Sequence, residues 1–182
     1  DQPLDHDVRG VLQIAPFRRL WISLSFSSLG DWLGLLAITA MAAELTTDSS
    51  ADQNYAVAGV FILRLIPALL FAPIAGVVAD RLDRRMTMVV TDVLRAGLFV
   101  SIPIVGSLWW LLVATFLIEA LSLFWIPAKE ATVPNLVPRE RLEAANQISL
   151  VTAYGSAPIA AGIFTVLSLI TAALGARFEF FV

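Results

Sequence analysis

Five stretches of roughly 20 mainly apolar residues divide this chain, and each is long enough to cross a bilayer as a helix. They run over about 20–43, 55–79, 86–106, 108–128 and 146–170. Backbone polar groups in hydrocarbon must be satisfied within the protein, so runs of this length and composition leave helices as the spanning form. Hydrophobic residues make up 58% of the 182 and charged residues 15%, with a mean hydropathy of +0.82. Soluble domains carry about 25% charged residues. The expected class is an all-α membrane protein. After the fifth run, "TAALGAR" and "FEFFV" read as the start of a sixth, incomplete span.

The same composition removes other classes. A net charge of −3 with one lysine, Lys129, gives nucleic acid nothing to bind. Cysteine is absent, and the single histidine, His6, lies in the polar N-terminal stretch, so neither a disulfide framework nor a metal site is expected, and no cofactor. No G-x-x-x-x-G-K-[ST], HExxH or Ser/His arrangement points to an enzyme. The acidic opening does not read as a secretory signal. Instead "VLQIAPFRRL" reads as a short interfacial helix with Arg18 and Arg19 at the headgroups.

Basic residues outside the runs set the expected direction. Arg9, Arg18 and Arg19 precede span one, Arg81, Arg84 and Arg85 join spans two and three, and Lys129, Arg139 and Arg141 join spans four and five. The intervening loops carry none, and Arg177 alone falls on the other side. By the positive-inside rule, residues 1–19 form a cytoplasmic segment and 20–182 a transmembrane domain.

Charges within the runs need a reason, because one near the bilayer centre costs about 2.5–3.5 kcal/mol on insertion scales. Asp31 lies in span one, whose nine Leu, Ile and Phe residues from Leu20 to Ile38 supply only about 3–5 kcal/mol on the same scale. Arg64 lies in span two, offset from Asp31 in depth by roughly 6 Å. Three readings stay open for them: a structural ion pair, a substrate- or proton-responsive pair, and two residues that never meet. Glu119, read as unpaired in span four, suits a proton-coupling site and equally a tolerated, protonated structural residue. Asp92 and Arg95, three apart near the end of span three, read as a structural pair. Trp32, Phe26 and Phe124 fit an apolar substrate lining or plain helix packing.

Three segments carry a resemblance. "GVVADRLDRR" is at least a topology signal, but it is similar to the loop-2/3 signature of the major facilitator superfamily, G-x-x-x-D-R-x-G-R-R. Gly76, Asp80, Arg81, Arg84 and Arg85 hold its positions, and Asp83 replaces the central glycine. On span five, Ala157-Pro158-x-x-Ala161-Gly162, just after Gly155, resembles a loosened form of the G-P-x-x-G-G motif of superfamily antiporters. "WIPAKEATVPNLVPRERLEAAN" resembles the drug:proton antiporter-3 branch, with prolines 127, 134 and 138 expected to end helix four and Asn146 entering helix five. The whole looks closest to the membrane module of actinobacterial transporter–thymidylate kinase fusions.

The resemblance implies the N-terminal five spans of a twelve-helix fold in two halves, in the bacterial plasma membrane. It implies alternating access, with substrate and protons as partners and the remaining half completing the cavity. Asp80 and the three arginines would form a cytoplasmic latch; Asp31, Arg64 and Glu119 would face the cavity. Proton-coupled efflux of an amphipathic small molecule is the expected activity of the whole protein. A membrane anchor for a soluble domain, such as a nucleotide kinase, is the alternative.

Overall fold

The computed structural model describes residues 10–46, 49–79 and 81–179. Among them there are helices and turns only: α1 (Ala15–Glu44), α2 (Ser50–Ala79), α3 (Arg84–Val105), α4 (Leu108–Leu136) and α5 (Leu142–Glu179), with a 3₁₀ turn at Arg139–Arg141. All five long helices contain a stretch long and apolar enough to cross a membrane. Helical residues at 10–12 precede α1, and the chain bends at Gln13 and Ile14 before Pro16 in the first turn of α1, so the expected helix over "VLQIAPFRRL" is divided there.

Connections are short where the sequence supplies caps. Asp83 stands at the N-cap of α3, where its carboxylate accepts the Met86 amide at 2.8 Å. The aspartate that departs from the loop signature is thus a helix start. Gly106 closes α3 with φ +60°, a left-handed conformation natural to glycine, and its amide donates to the Ile102 carbonyl at 3.0 Å. Two residues then suffice to turn the chain into α4.

Helix α4 corrects one expectation. It runs through Pro127 and Pro134 and ends only at Leu136. Each proline removes one backbone hydrogen bond, which a membrane helix tolerates when neighbours or side chains re-satisfy the freed groups. The actual stop is Val137, driven to extended backbone (φ −126°, ψ 136°) by the ring of Pro138.

Packing is arranged around α4, which lies against both α2 and α3, while α1 pairs with α5 and also touches α2 and α4. Two apolar cores result. One, containing Ile38, Ala42, Val60, Ile102, Leu111 and Ala114, joins α1 to α4. The other, containing Val11, Phe17, Val133, Val137, Ala145 and Ile148, seals the opposite end, where the helical residues at 10–12 meet α4 and α5. Large apolar side chains elsewhere face outward, among them Leu69 at 83% exposed and Ile104 at 77%, as a lipid-facing surface requires.

Candidate functional site

Between the two cores, one charged side chain from each of the first four helices converges. Arg64 of α2 meets Glu119 of α4, Nε to Oε1 at 2.8 Å. Arg95 of α3 pairs with Asp31 of α1 and also reaches Asp92, one turn back on its own helix, at 3.5 Å. All four line a small cleft of about 10 Å³, together with Thr115 and Phe99. That is room for about one water molecule.

The partners differ from those the sequence suggested. Of the three readings open for Asp31 and Arg64, the two that pair them do not hold, since each has another partner, and Glu119, expected to be unpaired, is bound by Arg64. The depth count explains the exchange when it is extended to all four charges. From the outer ends of their runs, Asp31 lies about twelve residues deep, Arg95 and Glu119 about eleven and Arg64 about nine. At 1.5 Å per residue, the observed pairs are offset by only about 1.5 and 3 Å, less than the Asp31–Arg64 offset. Arg95 was assigned to Asp92 alone because three residues apart on a helix is the nearest pairing in sequence. Its side chain is 8% exposed, which one half-exposed carboxylate on its own helix would not compensate.

Local sequence makes the convergence possible. At Gly34, one turn beyond Asp31, a Cβ would run into the ring of Phe99, one turn beyond Arg95. The missing side chain leaves room for that ring beside the charges. Tryptophans lock the same region. Trp21 Nε1 donates to Thr152 Oγ1 at 2.7 Å and Trp32 Nε1 to the Ala153 carbonyl at 2.9 Å, both across the α1–α5 contact. Trp125 Nε1 donates to Asp92 at 3.2 Å, joining α4 to the edge of the charged cluster, and Lys129 lies over its ring. An indole nitrogen is a donor only, so a buried tryptophan must find an acceptor, and that requirement was the available signal for these links.

The loop residues occupy the end sealed by the second core. Gly76 lies in the last turn of α2, and Arg81 forms the turn beyond it, its amide donating to the Val78 carbonyl. Asp80 lies outside the described residues. Arg84 Nη1 donates to the Ala131 carbonyl of α4 at 2.7 Å, and Arg141 Nη1 to the Gly10 carbonyl at 3.0 Å. Basic loops two and four are therefore both tied down, to α4 and to Gly10. On α5, Gly155, Pro158, Ala161 and Gly162 are exposed and Ala157 half-buried. A Cβ on Gly162 would meet nothing within 4 Å, so no described helix uses that close approach.

One buried and one half-buried arginine, with Asp31 and Glu119 and with Asp92 at the edge, connect four helices. Such a set can change protonation or partner without leaving the bundle, at the cost of an uncompensated ion whenever one pair opens.

Comparison with known proteins gives a consistent picture. The family model described as transmembrane secretion effector matches residues 10–182. An uncharacterized MFS-type transporter of Bacillus subtilis is 29% identical over 149 residues, 82% of this chain and 33% of the relative. An uncharacterized MFS-type transporter of Mycobacterium tuberculosis is 29% identical over 153 residues, again 82% of this chain and 34% of the relative. Macrolide efflux protein A of Enterococcus faecalis is 31% identical over 86 residues, 44% of this chain and 27% of the relative. The chain spans about a third of the length of the first two relatives. No solved structure matches.

Proposed function

The chain belongs to the transmembrane secretion effector family of major facilitator transporters, and on that footing we propose that it forms part of a proton-coupled exporter of an amphipathic small molecule. The whole protein works by alternating access, in the plasma membrane of a bacterium, with the N-terminal segment in the cytoplasm. A second helical half completes the cavity, and the open small-residue face of α5 is where the halves approach.

The observation that carries this reading is the convergence of Asp31, Arg64, Arg95 and Glu119 around one small cleft. Four charges in the middle of a membrane bundle cost far more than apolar side chains would, so they are kept for what they do. Protonation of a carboxylate frees its arginine to seek another acceptor. Glu119 and Asp31 are the coupling carboxylates, and Arg64 and Arg95 the cations that sense them. Arg81, Arg84 and Arg85, with Asp80, act as the latch that holds the cytoplasmic side closed.

The test is efflux of a lipophilic fluorescent dye, driven by a proton gradient, in inverted vesicles carrying the full-length protein. Uptake that collapses with an uncoupler and is lost in Glu119→Gln, with the variant present at wild-type level in the membrane, is expected. Uptake that persists in the variant removes Glu119 from coupling. Absence of transport for a broad panel by well-folded protein would favour the membrane-anchor alternative.

A further inference from the structure

Where α1 and α3 emerge beside the end of α4, a groove of about 860 Å³ opens between them. Arg19 of α1 and Arg84 and Arg85 of α3 line it, with Asp83, Leu20 and Met88. We propose that this groove holds the phosphate headgroup of an anionic phospholipid.

The charge is lopsided. Three guanidinium groups face one carboxylate, and that carboxylate already accepts the Met86 amide as the cap of α3. None of the three arginines joins an ion pair among the described residues. Arg84 is anchored by one N–H to the Ala131 carbonyl, which fixes the side chain and leaves four of its five N–H donors. A planar guanidinium fork matches two phosphate oxygens at once, which makes arginine the better phosphate ligand of the two basic side chains.

Position selects a lipid over a free anion. The arginines stand in the first turns of two membrane-crossing helices, at the level where headgroups lie. The groove itself also presents Leu20, Leu82, Met88 and Leu136 beside the arginines. A bound phosphate therefore has apolar side chains next to it for the start of its acyl chains. A soluble phosphate would find the same donors but no use for those side chains. The proposal needs only that the chain sits in a bilayer; it stands whether or not the protein transports.

The experiment titrates the full-length protein in mild detergent with phosphatidylglycerol, phosphatidylcholine or inorganic phosphate, and reads the thermal midpoint and the lipids retained in native mass spectra. Phosphatidylglycerol is expected to be retained and to raise the midpoint, with the other two without effect. Arg19→Gln with Arg85→Gln should weaken retention roughly fivefold for each guanidinium removed. Arg18→Gln with Arg139→Gln, which lie outside the groove, should leave it unchanged. Equal retention of both lipids, an equal midpoint shift with phosphate, or equal weakening by the two double variants overturns the proposal. If the first double variant does not fold, Arg85→Gln alone carries the same comparison.

Discussion

Arg95 is the side chain on which the charged cluster turns. It is almost wholly enclosed, and it holds carboxylates from two helices, Asp31 and Asp92. Removing one member of a buried pair strands the other and typically costs about 3–5 kcal/mol, whereas replacing both members with apolar residues is often neutral. Arg64→Leu and Glu119→Leu are therefore each expected to lower stability by about 3 kcal/mol, and the double substitution by less than either. Unfolding of the detergent-solubilised protein measures this, and additive losses would mean the pair contributes nothing. The same cycle separates partners. Asp31→Asn and Arg95→Met should be strongly non-additive, while Asp31→Asn and Arg64→Leu should come close to adding. Asp31, Arg64 and Glu119 were visible in the sequence as charges out of place. Their pairing was not, because it depends on which helix faces meet, and hydropathy gives depth but not rotation. Arg95 was hidden for a further reason: a plausible partner three residues away made a distant one unnecessary.

At the level of single helices, two small devices decide how α3 is placed. Its start is held by the Asp83 cap, and its Phe99 ring occupies the space that Gly34 of α1 leaves open. Asp83→Ala is expected to cost about 1 kcal/mol, a loss that thermal unfolding will detect and that Asp83→Ser should largely restore. Gly34→Val should be more damaging, because the added carbons meet the Phe99 ring, and Phe99→Ala should partly relieve it. No rescue would place the damage elsewhere. The apolar runs located all five helices, since length and hydropathy are nearly sufficient for a membrane span. Their ends were less legible. Pro127 and Pro134 read as terminators because in water a proline usually is one; within a packed membrane bundle the lost bond is tolerated, and only the Val137–Pro138 step breaks the helix. Asp83, seen first as a departure from a loop pattern, was also a helix N-cap, and the two readings use the same atom.

Across the whole molecule, the start of α1, the end of α4 and the start of α5 gather with the helical residues at 10–12 around one apolar core, where Arg141 holds Gly10 and Arg84 of α3 holds α4. The chain contains no cysteine, so a single introduced one reports its own side of the membrane. The proposed cytoplasmic N-terminal segment predicts that Arg139→Cys in right-side-out vesicles resists an impermeant thiol reagent and that Asp52→Cys reacts. The reverse pattern would invert the topology. The tryptophan links have a mechanical side as well. Trp21 and Trp32 are eleven positions apart on α1, about 16 Å of helix, and each is fastened to α5. The two indoles reach back to neighbouring residues, Thr152 and Ala153, so a long stretch of α1 is gathered onto one level of α5. Asp31, next to Trp32, is thereby moored to α5 as well as to Arg95.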